Sequence, residues 1–231
     1  MLSHLLNKKL GDYNDLLRQG ECICVPKNTK IVDREKGVGP VYYLKSGVVA
    51  LTDILEDGDE RIYRYHRIGE FLGVFQLYNQ VPGLPHAPVK TVNDIYDSVT
   101  KTESVLYKID PEVFLRYAYE NPEILVEHIR MVAKVNMNHC VRYTRMLKNL
   151  TANIICEVLL DFSVERDGVY RMDKYFTYAE IARYLGVHVV TVGRIMKKLS
   201  EEGIVGREGG QIVILDRERL TEYSNGKKIK Y

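Results

Sequence analysis

The residues with the clearest chemistry lie between positions 177 and 199: Thr177-Tyr-Ala-Glu180-Ile-Ala-Arg-Tyr-Leu185-Gly186-Val187-His188-Val189-Val190-Thr191-Val192-Gly-Arg194-Ile-Met-Lys197-Lys198-Leu199. Thr177 with Glu180 has the spacing of a capping box, which starts a helix. Ile181, Ala182 and Leu185 form that helix's apolar face, and Gly186 ends it, because glycine accepts the left-handed residue after a helix. Val187 plugs the corner. A second helix then spans 188–201, with Val192, Ile195 and Leu199 inward. Two short helices joined by a tight glycine turn are a helix-turn-helix, whose second helix enters the DNA major groove. Arg194 faces outward with the planar fork that reads guanine O6 and N7. Val189 and Val190 are apolar where the helix is exposed, which suits thymine methyls better than water. The spacing therefore predicts T-rich half-sites with a guanine read by Arg194. Thr177, His188, Thr191 and Lys197 complete the candidate contacts on these helices. Residues 183–198 carry Arg183, Arg194, Lys197 and Lys198 and no acidic residue.

That local charge is hidden in a chain of 231 residues with a net charge of only +2, of which 45% is hydrophobic and 28% charged. These values fit a globular chain of one or two domains. After the second helix, Gly203-Ile-Val205 leads to Gly209-Gly210 and Gln211-Ile-Val-Ile-Leu215, a hairpin in the position of a wing, with Arg207 a candidate phosphate contact. Ile154, Ile155, Val158, Leu159 and Phe162 predict an amphipathic helix ahead of the motif, and 151–231 is expected to be a DNA-binding domain.

Upstream, Asp110-Pro111 and Asn121-Pro122-Glu123 each open a helix with proline near its first position. The second helix is long, 122–150. Leu125, Ile129, Val132, Asn136, His139, Tyr143, Met146 and Leu150 repeat at 4-3-4-3-4-3-4, the seam of a coiled coil. A second copy of the chain would bury this seam, and packing on the chain's own β-rich domain is the alternative. Between 22 and 110 the pattern is of short strands, at 22–25, 41–44, 48–55, 61–67 and 99–109. Turn signals separate them at Lys45-Ser46-Gly47, Glu56-Asp57-Gly58-Asp59 and Ile68-Gly69-Glu70, as in a small antiparallel barrel or jelly roll. Residues 1–20 are expected to form a short helix with Leu5, Leu6, Leu16 and Leu17 inward. Residues 78–93, with Pro82, Pro85 and Pro88, form a rigid excursion.

Cys22, Cys24, Cys140 and Cys156 lack C-x-x-C spacing, so neither a zinc site nor a disulfide scaffold is expected. Cys22 and Cys24 would share one face of a strand. Lys8 and Lys9 interrupt any leader-like apolar run, and no stretch is long enough to span a bilayer, so a cytoplasmic protein is expected. A cupin-type metalloenzyme would need clustered histidines, whereas His4, His66 and His86 are scattered. No catalysis is expected.

The order of β-roll, long helix and winged helix-turn-helix resembles the Crp/Fnr family of transcription regulators over nearly the whole chain. The most specific part is Glu180-Ile-Ala-x-x-Leu-Gly-Val-x-x-x-Thr191-Val-x-Arg194, followed by Leu199-x-x-x-Gly203-Ile. The run 186–192 is similar to members that control halogenated-phenol respiration. The resemblance implies an α+β fold in three parts: a cyclic-nucleotide-binding-like β-roll that binds an effector (1–121), a dimerisation helix (122–150) and the winged domain (151–231). It also implies a homodimer, a two-fold symmetric operator and contact with RNA polymerase. In the family the recognition helix usually starts Ser-Arg-Glu-Thr-Val. Here it reads His188-Val-Val-Thr191-Val, without the glutamate that reads cytosine. Cyclic-nucleotide members hold the phosphate with Gly-Glu, matched by Gly69-Glu70, and a later Arg-Ser pair, which falls on Asp94-Ile95. A carboxylate there would repel a phosphate, so cyclic AMP is not the expected effector. The candidate effector contacts are Gly69, Glu70, Phe71, Tyr96, Asn136, His139 and Cys140. No cofactor is expected to be required. The alternatives are haem, with His86 as a ligand, and a thiol switch at Cys22 and Cys24.

Overall fold

In the computed structural model, described for residues 13–33, 35–36, 38–54, 60–78, 96–148 and 150–227, the chain divides into two compact units, residues 1–134 and 135–231.

The first unit is an antiparallel sandwich. It contains α1 (Asn14–Leu17), β1 (Glu21–Val25), β2 (Lys30–Val32), β3 (Val41–Ser46), β4 (Val49–Ile54), β5 (Glu60–Tyr65), β6 (Phe71–Leu72), α2 (Val74–Tyr78), β7 (Asp97–Thr100), β8 (Ser104–Ile109) and α3 (Pro111–Glu120). The strands form two four-stranded sheets, β1-β8-β3-β6 and β2-β7-β4-β5. Alternate residues from both, Val25, Val32, Leu44, Val49, Leu72 and Leu106, make one apolar core between them. On its other face the first sheet carries Val41, Phe71 and Ile109, which pack with Leu16, Phe114 and Ala118 from the helices and Ile124 from the long helix. Asp110 caps α3 by accepting from the Glu112 and Val113 N–H groups, and proline follows at the first turn as its fixed φ favours.

The run 99–109 is not one strand. It breaks at residues 101–103, where the chain leaves one sheet as β7 and enters the other as β8. Such a corner is how a sandwich strand changes sheets, and an apolar run alone cannot reveal it. The short strands β2 and β6 also lack a periodic signal of their own. The helix expected over 1–20 is seen as the single turn α1, while Leu5 and Leu6 lie outside the described residues. So do Leu55, the 56–59 turn and most of the proline-rich excursion.

The long helix α4 is Glu123–Leu147, three residues short of its expected end. It packs inward through Ile124 and His128, both buried, and not through the seam. Leu125, Ile129, Val132, Tyr143 and Met146 are 36, 68, 39, 66 and 51% exposed in the single chain. None of the described helices is long and apolar enough to cross a membrane.

The second unit continues with α5 (Thr151–Phe162), β9 (Ser163–Arg166), β10 (Val169–Met172), α6 (Tyr178–Leu185), α7 (Val189–Glu201), β11 (Val205–Glu208), β12 (Gln211–Ile214) and α8 (Arg217–Ser224). The expected wing hairpin, β11–β12, is half of a four-stranded sheet in the order β11-β12-β10-β9. Both of its hairpins turn on two residues of positive φ, Asp167-Gly168 and Gly209-Gly210. That is the geometry whose twist matches the flanking strands. Asp167-Gly168 is a readable hairpin signal that the sequence reading did not use.

Candidate nucleic-acid interface

The helix-turn-helix is built as its residues dictate. Thr177 Oγ1 accepts the Glu180 N–H at 3.1 Å and starts α6. The reciprocal half of the expected capping box is not made. The Thr177 N–H donates to the Tyr175 carbonyl, and the Glu180 carboxylate turns to Arg183 at 2.8 Å. Ion pairing along the helix outcompetes the backward reach. Gly186 closes α6 at φ 65°, with Val187 next. His188 then caps α7: its Nδ1 accepts the Val190 N–H at 3.2 Å. Nδ1 must be unprotonated to accept, so the remaining ring hydrogen sits on Nε2.

Ile181, Ala182, Leu185, Val192, Ile195, Met196 and Leu199 are buried and fix the two helices against each other. The opposite face of α7 is open. Val189 and Val190 are exposed large apolar residues, and Arg194 is exposed. No carboxylate among the described residues pairs with Arg194. The other local cations are less free than the sequence suggests. Arg183 is held by Glu180 and the Tyr175 hydroxyl, Lys198 lies 3.4 Å from Glu202, and Lys197 lies 3.9 Å from Glu201. The carboxylates that meet these lysines lie just beyond the 183–198 run, at 201 and 202. Glu202 also accepts from the Tyr223 hydroxyl at 2.7 Å and meets Arg219 at 3.1 Å, anchoring the end of α7 to α8. These contacts hold its carboxyl below the usual range, the tyrosine hydrogen bond being the largest cause. Arg207 on β11 lies over the Tyr178 ring, 4.4 Å from its centre, so the wing cation is stacked on the start of α6.

The candidate effector residues fall in both units. Gly69 occupies a left-handed turn, φ 92°, and its N–H donates to the Leu44 carbonyl. Glu70 is buried, 2.9 Å from Arg64 and 3.5 Å from His66. Burial opposes its charge, but the adjacent His66 and the Arg64 guanidinium prevail and bring its pKa down to about 2. His66 is itself buried, with Ser98 Oγ 3.3 Å from Nε2. Burial and the adjacent Arg64 lower its pKa to about 4, so it is neutral at pH 7. Arg64 therefore carries the compensating charge there.

Phe71 is a core residue, its ring 5.0 Å from Tyr43, 5.4 Å from Phe114 and 5.7 Å from His128. Tyr96 stacks on Tyr63 at 4.9 Å. Asn136 and Cys140 are exposed on α4. The His139 side chain, His86, Asp94 and Ile95 lie outside the described residues. Cys22 and Cys24 are both exposed on β1. The sequence reading missed His128, whose Nδ1 donates to the Ile124 carbonyl at 3.1 Å. It also missed Arg64 and His66, although their two-residue spacing on a strand beside a lone glutamate was a usable signal.

The fold and its open face define a winged helix-turn-helix DNA-binding module joined to an antiparallel β-sandwich. Residues 155–223 match the model of the Crp-like helix-turn-helix domain. The chain is 24% identical over 192 residues to the cAMP-activated global transcriptional regulator CRP of Haemophilus influenzae, covering 82% of this chain and 81% of that one. Among solved structures, FixK2 from Bradyrhizobium japonicum aligns with a TM-score of 0.63 at 19% identity, covering 88% of this chain and 96% of that one. CprK complexed with OCPA aligns with a TM-score of 0.56 at 14% identity, over 90% and 92%. The chain has the Crp/Fnr-like fold and is a homologue of the Crp/Fnr transcription regulators, carrying their helix-turn-helix.

Proposed function

We propose that this transcription regulator binds a two-fold symmetric operator as a homodimer, under control of a small molecule other than cyclic AMP. The observation that carries the reading is the outer face of α7, where Val189, Val190 and Arg194 are exposed together. Exposed valines gain nothing from water but match thymine methyls, and an unpaired guanidinium beside them matches guanine. Thr177, His188, Thr191 and Lys197 would flank this reading surface, and Arg207 would hold the backbone beside it. The bare seam of α4 supports the second copy, since two copies would bury Ile129 and Tyr143 against each other. Residues 1–121 would bind effector, 122–150 dimerise and 151–231 bind DNA, in the cytoplasm and in contact with RNA polymerase.

The departure from cyclic AMP rests on charge. Glu70 is already committed to Arg64 and His66, and the family's phosphate-holding pair falls on Asp94-Ile95. Gly69, Phe71, Tyr96, Asn136, His139 and Cys140 remain the proposed effector contacts. Selection of duplexes from a randomised pool by the full chain tests the reading. It should enrich inverted T-rich half-sites about one helical turn apart, and cyclic AMP should leave the affinity unchanged. A pool that stays random after several rounds, or binding tightened by cyclic AMP, would overturn it.

A further inference from the structure

The C-terminal half of α4 has two faces with different partners. One face is bare: Tyr143, Met146 and Leu147 are all at least half exposed. The other packs on α5 and α6 of the same unit through two arginines. Arg142 Nη1 donates to the Tyr184 hydroxyl on α6 at 2.7 Å, and the guanidinium lies 5.0 Å from the centre of that ring. Arg145 meets Glu157 on α5 at 2.6 Å, and both side chains are largely buried. Tyr184 in turn packs edge-on to Phe162, 6.0 Å away, and Phe162 stacks on Phe176 at 5.0 Å, next to the residue that caps α6. The Leu150 N–H, at the start of α5, also donates to the Arg145 carbonyl at 2.9 Å.

Arg142 is a poor choice for stability alone. Its Nε is buried without a hydrogen-bond partner among the described residues, and such a donor is costly. Replacing a buried ion by an apolar residue of similar volume is often neutral or stabilising. What the guanidinium supplies is direction: a planar group held both over a ring and by a hydrogen bond to that ring's hydroxyl is restricted in orientation.

We propose that Arg142 is a positioning residue for DNA recognition, fixing the helix-turn-helix on the end of the long helix so that the seam sets the spacing between two recognition helices. The proposal rests on the reading of the chain as a two-copy regulator. No atom of Arg142 needs to touch DNA. Its effect is on which separations of half-sites the pair of recognition helices accepts.

The test uses the full chain and duplexes recovered by selection, with the central spacer lengthened or shortened by one and two base pairs, beside a duplex carrying one half-site. The native chain should prefer one spacer by at least about tenfold. Arg142→Met should fold as well as the native chain, keep its affinity for the single half-site and lose most of that preference. Tyr184→Phe, which keeps the ring and removes the hydrogen-bond acceptor, should broaden the profile less. A spacer profile for Arg142→Met that overlays the native one overturns the proposal. So does an equal loss of affinity on every duplex, the single half-site included. Should Arg142→Met fail to fold, Tyr184→Phe decides by the same profile. If the native chain recovers no paired half-sites, the two-copy reading falls and takes this proposal with it.

Discussion

Replacing Arg194 by alanine should separate DNA recognition from folding. The side chain is exposed, and no carboxylate among the described residues pairs with it, so its removal leaves no buried partner unsatisfied. Surface changes of this kind alter stability by less than ~0.5 kcal/mol, and alanine is at least as good a helix former as arginine. The thermal midpoint should therefore hold within a few degrees. Binding should respond quite differently. A bidentate arginine–guanine pair is worth ~1–3 kcal/mol, or about 5- to 150-fold on a single half-site. Fluorescence anisotropy on single half-site duplexes measures this directly, with the guanine replaced base by base. The native chain should lose affinity with each replacement, and Arg194→Ala should bind all four duplexes alike. A phosphate contact has a different signature. It would weaken all four equally and lower the salt slope by about one. Unchanged affinity on the guanine duplex would refute base reading by α7, and a melting point lowered by ten degrees would refute the free exposure on which the reasoning stands.

Gly193 lies within α7, and a Cβ built there meets nothing within 4 Å. Gly193→Ala should stabilise the fold by ~1 kcal/mol yet weaken DNA binding if the helix backbone approaches the duplex closely, so a denaturant titration and an anisotropy titration should move in opposite directions. Ile129→Glu should weaken the proposed dimer at least ~100-fold, because two copies would lose a buried isoleucine and gain a buried charge; sedimentation velocity at micromolar protein reads this, and unchanged self-association would place the interface elsewhere. His66 has a folded pKa of about 4 against an ordinary 6.5, so below pH 6.5 the unfolded chain takes a proton that the folded one refuses. Stability should thus be intact above pH 6.5 and fall as the pH drops toward 4, by a total of ~3 kcal/mol from this group. His66→Gln, still facing Arg64, Glu70 and Ser98, should flatten that window in chemical denaturation, and a native profile already flat there would contradict the burial.

The DNA-binding unit was legible because its signals are local. Thr177, Gly186 and the 192-195-199 apolar stripe each act within one or two turns, and each acts in the structure as its type dictates. What escaped notice there was non-local in the same sense as the corner at 101–103. Glu202 meets Tyr223 across 21 residues, and Arg142 meets Tyr184 across 42. No periodicity encodes such pairs. The effector region was hardest for the same reason. Glu70 read as part of a Gly-Glu pair, but its neighbours Arg64 and His66 come from the end of the preceding strand and the residue after it, and the sandwich decides which face they share. That Phe71 also packs in the core was not legible either, because a two-residue strand is too short to announce which way it faces.

The seam shows how far local pattern can go and where it stops. Its heptad spacing named the face that remains bare in the single chain, from Leu125 to Met146. It could not say that Ile124 and His128, one position off the seam, dock the helix on the sandwich, or that Arg142 and Arg145 hold α6 and α5. With those contacts in view the helix does more than pair. A second copy seated on Tyr143 and Met146 acts on the same stretch of backbone that carries Arg142. On the proposal above, a small rotation of the seam would be delivered to α6 through the Arg142 guanidinium. An effector that shifts the seam by differential binding of only ~1–3 kcal/mol would then suffice to move both reading faces into or out of register with successive major grooves.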